Sequence, residues 1–475
     1  MKEQVTDISK VLQGMTEEMR LLRETVNQQY AEIINLNHNI NALNLEIRKK
    51  DTELINLRER LAKYEKPDKN SNNSSTPPSK ERMKDEVVRR TKSLRKPSGK
   101  KPGGQKGHDG HKLSCSSIPD EINDEAPNYC TRCGESLSDA ERVLDYVTQV
   151  ISIPELKPVI KEIRHYVMIC KNCGERIRTA PRRRSNNVVY DSSVKTLVVY
   201  LSVVQFLPYG RIASFLREVF GLTPSEGSLV NWVNEAKRNA QPVIDKIKEY
   251  IKSSAVVGFD ESGLYCNKRL DWAWIAQTVY YTLLFRADGR GSKVLTDKFG
   301  DSLERMIAVT DRHSAYFALH FLNHQVCLAH LLRELQYLSE LNTEQEWSGK
   351  VTSLFREAIH QRNTNPNDVI DKVSWTRRLD NLLKQNIEEL GKKFITFRKG
   401  LVKCRDFNFL ENPMIPFDNN GSERGIRKLK IKLKNSCTFR SDFGADAFLE
   451  LHSIVETAKK HDKTPYNAIQ ALFKV

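Results

Sequence analysis

Two stretches decide how this chain reads: Ala255-Val-Val-Gly-Phe-Asp260 and Arg305-Met-Ile-Ala-Val-Thr-Asp311. Each is a short apolar run, rich in β-branched residues, that ends in a carboxylate. Such runs suit buried strands. Between them, Asp271-Trp-Ala-Trp-Ile-Ala-Gln-Thr-Val279 and Tyr280-Tyr-Thr-Leu-Leu-Phe285 follow at hairpin spacing, and Ser292 to Phe299 reads as a helix. A third short strand, Gln325-Val-Cys327, leads into a helix from Leu328 to Leu341. In a mixed sheet of this kind Asp260 and Asp311 sit on neighbouring strands.

Strands, a crossover helix and two further strands resemble the ribonuclease H-like α/β fold. A third acid comes from Phe417-Asp-Asn-Asn-Gly-Ser-Glu-Arg-Gly-Ile-Arg-Lys-Leu-Lys430. Asn or Ser just ahead of a helix caps it. Glu423, Arg427 and Lys430 then recur at i, i+4 and i+7 and share one face. Between Asp311 and Glu423 lie 111 residues, too many for a loop. The part from about 344 to 400 is helix-rich and charged, which predicts a helical insertion. Any one of these acids alone reads as a strand-end or capping residue. Together with the basic neighbours they suit phosphodiester chemistry. That chemistry needs a deprotonated nucleophile and a neutralised leaving oxygen, and two Mg²⁺ ions held by carboxylates do both.

Upstream, Cys130-Thr-Arg-Cys133-Gly and Cys170-Lys-Asn-Cys173-Gly are twin turns with 36 residues between them. Each aims two thiolates at one point, and the Gly supplies a positive φ. Four thiolates are the set that structural zinc prefers, and they leave no open position for catalysis. Residues 143–150 and 159–168 have strand composition, so 113–190 reads as a zinc ribbon. Residues 191–253 read as helical. Within them Ile212–Phe220, a Gly221 turn and Gly227–Val233 give a helix-turn-helix pattern for DNA reading.

The N-terminus carries a heptad repeat. Steps of three and four from Val5 to Leu61 give seventeen seam positions, fifteen of them apolar; Gln29 and Lys50 are the exceptions. A 3.5-residue period kept this long calls for a partner helix. Residues 1–65 are therefore expected to form a coiled coil that makes the protein a homo-oligomer. Residues 66–112 are rich in Asn, Ser and Pro and hold 14 Lys/Arg against 5 Asp/Glu. They read as a basic, disordered linker whose Lys100, Lys101 and Lys106 contact DNA phosphates.

The whole chain has 475 residues and a formal net charge of +16. Such an excess favours a polyanionic partner, nucleic acid first. No run approaches the ~18 apolar residues of a membrane helix, and the start lacks the pattern of a signal peptide. A soluble intracellular protein is expected. Nine Cys in a chain of this length point to metal rather than to a disulfide scaffold.

Taken in order, Lys101-Pro-Gly-Gly-Gln-Lys-Gly-His108, the twin Cys turns, Gly258-Phe-Asp-Glu-Ser262, Thr310-Asp-Arg-His-Ser-Ala-Tyr316, Cys327-Leu-Ala-His330 and Asp418-Asn-Asn-Gly-Ser-Glu-Arg424 resemble the transposases of the insertion sequence 66 family. The resemblance runs over the whole chain. It implies an Asp-Asp-Glu triad of Asp260, Asp311 and Glu423 binding Mg²⁺, with Mn²⁺ as the alternative. It also implies a catalytic domain over 254–475 that includes the Cys327-x-x-His330 box, and accessory proteins encoded by the same element. A Cys-x-x-His pair can be half a metal site, but no second pair lies near it in the sequence, so Cys327 and His330 are read as structural or DNA-contacting; His330 and Arg333, near the site, are read with Arg427 and Lys430 as DNA contacts. At 261–262 the chain has Glu-Ser where Glu-Thr is commoner in the family, and Ser keeps the hydroxyl. The expected activity is cutting at mobile-element ends and joining them to target DNA. The alternatives are a non-catalytic zinc-ribbon, coiled-coil DNA-binding regulator and a nuclease on the same fold.

Overall fold

The computed structural model describes residues 2–61, 67, 69, 73–74, 107, 113–178, 188–404 and 407–474, with backbone alone for 2–13 and 58–61. The heptad pattern becomes one unbroken helix, α1 (Lys2–Leu61). At ~1.5 Å per residue it is roughly 90 Å long. Its apolar seam residues from Met15 to Leu57 are 51–64% exposed. Most of the expected linker, including Lys100, Lys101 and Lys106, lies outside the described residues.

There follow a small hairpin, β1 (Val167–Ile169) and β2 (Arg176–Arg178), then α2 (Ser192–Val203), α3 (Tyr209–Phe220) and α4 (Glu226–Lys252). Next come β3 (Val256–Cys266), β4 (Arg269–Gln277), β5 (Thr282–Ala287), α5 (Lys293–Phe299), β6 (Ile307–Thr310) and β7 (Asn323–Val326). The rest is helical: α6 (Leu328–Leu341), α7 (Trp347–Thr364), α8 (Lys372–Leu383), α9 (Lys392–Val402), α10 (Asn408–Glu411), α11 (Asn420–Ser436), α12 (Asp442–Lys460) and α13 (Pro465–Ala471). The chain divides into two units, residues 1–83 with 243–430 and residues 84–242 with 431–475.

The first unit holds a five-stranded sheet in the order β5-β4-β3-β6-β7. β3, β4 and β5 form an antiparallel meander, while β3, β6 and β7 run parallel. A tight turn at Asn267-Lys268, both at positive φ, closes the first hairpin. Strand side chains alternate between faces. Phe259 points to the face covered by α5, where its ring lies 5.7 Å from that of Phe299. Gly258 and Asp260 point to the other face. Helices α6 to α9 share one apolar core with Val309 and Val326 of the sheet. Buried Arg362 of α7 ties this core together by donating to the carbonyls of Phe409, Asn365 and Asp368. Val351, Phe355, Leu379 and Phe394 of the helical segment at 344–400 belong to this same core.

In the second unit, α2, α3 and α4 close a smaller core around Val198, Ile212, Leu216, Leu229 and Trp232. Gly221 ends α3 at φ 67°, in the left-handed region that glycine fills without strain. Residues 143–150, expected as a strand, form no strand, and Val143, Leu144 and Tyr146 are 77–81% exposed. Of the expected 159–168 strand only Val167 and Met168 belong to one, within β1. Strand composition alone does not make a ladder; it takes a neighbour to receive the backbone bonds.

Candidate active site

β3 and β6 pair in parallel at a constant offset of 51 residues: Val256 faces Ile307, Val257 faces Ala308 and Gly258 faces Val309. The same offset relates Asp260 to Asp311, which follows β6 directly. Asp311 is held by the backbone N–H of His313, which donates to its Oδ1 at 2.9 Å. Asp260 accepts from the N–H of Glu261 at 2.9 Å. Burial holds the Asp260 carboxyl well above the usual carboxylate range, and the charges of Glu261, Asp311 and Glu423 push it the same way. Asp311 and Glu423 therefore both lie within electrostatic reach of Asp260.

Helix α11 brings Glu423 there by close backbone packing. The amide of Asn419, just ahead of the helix, donates to the carbonyl of Phe259 at 2.6 Å, one residue before Asp260. Its side-chain oxygen accepts from Ser422 Oγ at 2.6 Å. A Cβ at Gly258 would stand 2.7 Å from Ser422 Oγ, and one at Gly425 would stand 2.4 Å from Cδ1 of Ile275 on β4. The small residues of the Asn-Asn-Gly-Ser-Glu-Arg-Gly run let the helix lie directly on the sheet. This is why they surround Glu423.

Glu423 is buried and surrounded by cations. Arg427 donates to its Oε2 at 2.5 Å. His330 Nε2 and Arg333 each lie 3.5 Å from Oε1, which accepts no hydrogen bond. Burial and the neighbouring Arg333 push the His330 ring below its ordinary value. Cys327 heads α6 and accepts the backbone N–H of Asn419 at 3.2 Å; burial pushes its thiol up to about 12. One ligand atom each from Cys327, His330 and Glu423 lie within 4.8 Å of one another. Asp260, Asp311 and Glu423 do not form so tight a group among the described residues. Lys430 reaches the carbonyl of Gly263 at 3.1 Å.

The sequence reading missed a network on the opposite face. Glu261 has a fully buried side chain, to which Arg290 donates at 2.6 Å. Tyr316 donates its hydroxyl to the other oxygen, and Arg290 stacks over Trp272. This ties β3 to the turn 311–316 that carries Asp311. An acid at an inward strand position was its one local signal.

The two Cys-x-x-Cys segments adopt the same knuckle. Gly134 and Gly174 take φ 75° and 72°, and each donates to the carbonyl of the first Cys, Cys130 or Cys170. Backbone N–H groups of Cys133 and Arg132 lower the Cys130 thiol, and those of Cys173 and Asn172 lower Cys170. Each knuckle gathers its own two sulfurs. The four together are not among the described groups whose ligand atoms lie within 4.8 Å of one another.

Comparison with known families gives the class first. Residues 187–447, more than half of the chain and inclusive of Asp260, Asp311 and Glu423, match a family of transposases, enzymes that process DNA. The chain belongs to the Transposase IS66 family. Residues 25–114 match a second family, described as a family of unknown function (DUF6444). No curated protein matches the chain. Among the described residues no helix is long and apolar enough to cross a membrane.

Proposed function

We propose that this transposase cuts DNA at the ends of its mobile element and joins them to target DNA by two-metal phosphoryl transfer, with Asp260, Asp311 and Glu423 as the metal-holding acids. The observation that carries this reading is the shared offset of Asp260 and Asp311 on parallel neighbours, with Glu423 packed beside them by the Asn419 clamp. The strand order, an antiparallel meander followed by two parallel strands, supports a ribonuclease H-like domain.

The residues fit hard divalent cations. All three are oxygen donors, Asp260 is burdened by like charge, and Glu423 Oε1 is buried without a hydrogen bond. Asp260, Asp311 and Glu423 would hold the ions through their carboxylate oxygens. Bound there, Mg²⁺ or Mn²⁺ would neutralise charge on the leaving oxygen and ease deprotonation of water or a 3′-hydroxyl. The protein's share is positioning. The Asn419 clamp and the Glu261–Tyr316 bond fix two of the acids. Arg333 and Arg427, with Lys430 further along the helix, present cations to the phosphate. His330 stands 3.5 Å from Glu423 Oε1.

The remaining parts follow the same reading. The twin knuckles suit a structural Zn²⁺, since their thiols are aimed and favoured as thiolates. The α3–Gly221–α4 turn suits DNA reading, and Lys100, Lys101 and Lys106 suit the phosphate backbone. The exposed seam of α1 suits a second copy of the chain, which would hold two element ends together. The work would be done at the nucleoid in the bacterial cytoplasm, with accessory proteins of the same element. The test is a metal-dependent assay with element-end DNA and a plasmid target. Joined products support a transposase. Cleavage without joining supports a nuclease, and binding alone a regulator.

A further inference from the structure

Cys327 is the cap residue just ahead of helix α6, and His330 lies in its first turn, so both residues sit at the same end of the helix. Glu423 faces them from the first turn of α11. Cys327 Sγ, a His330 ring nitrogen and a Glu423 carboxylate oxygen lie within 4.8 Å of one another. Two further observations mark this as more than packing. Glu423 is only 8% exposed, yet its Oε1 accepts no hydrogen bond, and neither does Nδ1 of His330 have a partner. Cys327 Sγ accepts the N–H of Asn419 at 3.2 Å, which fixes the sulfur beside the other two ligand atoms. Sulfur, nitrogen and oxygen together are the donor set of a borderline-soft ion. A hard ion such as Mg²⁺ takes oxygen alone.

We propose that Cys327, His330 and Glu423 form a Zn²⁺ site that shares Glu423 with the hard-metal site, so that zinc held there withdraws Glu423 from the reaction. The first half stands on the cluster itself; the second rests on the reading of Glu423 given above. Arg333, 3.5 Å from Glu423 Oε1, is the cation that zinc displaces. Three protein ligands leave one tetrahedral position for water. As zinc binds, the Cys327 S–H bond breaks, its electron pair goes to the metal and the proton goes to solvent. No electron is transferred.

Full-length wild type, Cys327→Ser and His330→Gln are equilibrated with buffered free Zn²⁺, and zinc per chain is counted. Each variant binds one zinc fewer than the wild type, since zinc in the knuckles is common to all three. Co²⁺ used in place of zinc gives the wild type thiolate-to-cobalt absorption beyond that of Cys327→Ser. Serine accepts the Asn419 N–H as sulfur does, and a melting curve checks that the variant is folded. Equal zinc in folded variants and wild type overturns the site. Mg²⁺-dependent cleavage is then read with and without zinc, as a ratio within each protein. The wild-type ratio falls as the site fills, and that of Cys327→Ser does not. One zinc fewer with no fall in the wild-type ratio overturns the link through Glu423 and leaves the site standing. Absence of Mg²⁺-dependent cleavage in the wild type itself counts against the proposed function, and the zinc count still decides the site.

Discussion

The side-chain amide of Asn419 donates to the backbone carbonyl of Phe259 at 2.6 Å, across 160 residues of sequence. Both partners are buried. Asn419 is the residue before α11, and Phe259 is the residue before Asp260. One hydrogen bond thus fixes the start of the helix that carries Glu423 to the strand that carries Asp260. Asn419→Ala removes it and leaves Ser422 Oγ and the Phe259 carbonyl without this partner. A loss of about 1–3 kcal/mol in denaturant unfolding is expected. The loss of metal-dependent cleavage is expected to exceed the loss of folded protein, because the two acids are no longer held in register.

How much of this was legible in the sequence follows from the range of each interaction. The runs ending in Asp260 and Asp311 read as strands because their side-chain pattern is local. The helix from Leu328 to Leu341 was legible in the same way. So was the long N-terminal helix, whose seam repeats over eight heptads. The Asn419 clamp and the Glu261–Arg290–Tyr316 network were not, since their partners lie 29 to 160 residues apart and leave no periodic trace. Residues 143–150 looked like a strand and are not one, because β composition cannot supply a neighbouring strand. The glycines at 258 and 425 were visible, but the surfaces they admit were not.

His324 gives the fold a pH dependence. Burial pushes its ring down to about 4, and its Nε2 shares a hydrogen bond with Thr310 Oγ1 at 2.8 Å. Unfolded, such a ring titrates at about 6.5. Between these values the unfolded chain binds a proton that the folded chain does not. The contribution is therefore present above about pH 6.5 and is lost as pH falls toward about 4, by up to about 3 kcal/mol. His324→Gln keeps a hydrogen-bonding group at the Nε2 position and does not titrate. Its unfolding midpoint should fall less than that of the wild type across this range.

The knuckles predict zinc in freshly purified, reduced protein, held by Cys130, Cys133, Cys170 and Cys173. Cys170→Ser should lower the zinc content and loosen residues 113–178, because metal binding and local folding are coupled. Metal analysis and hydrogen exchange over this segment check both. Wild-type protein free of zinc would show that the four sulfurs serve another purpose.

The seam of α1, exposed at 51–64% from Met15 to Leu57, predicts self-association. Deleting residues 1–62 should reduce the particle mass in light scattering to that of a single chain. Joining should fall more than DNA binding, since joining needs two element ends held together. An unchanged mass would place the association elsewhere in the chain.

The account stands or falls on the acid site, and the most direct measurement is cleavage and joining of element-end DNA by Asp260→Asn beside the wild type, in Mg²⁺ and in Mn²⁺. Asparagine keeps the shape of the side chain and removes the charge that holds the cation. Both reactions should drop by at least about a hundredfold, the order of a lost electrostatic contribution to a transition state, while binding to the same DNA is retained. Cleavage and joining by Asp260→Asn at the wild-type rate would contradict the assignment of Asp260, Asp311 and Glu423 as the metal-holding acids.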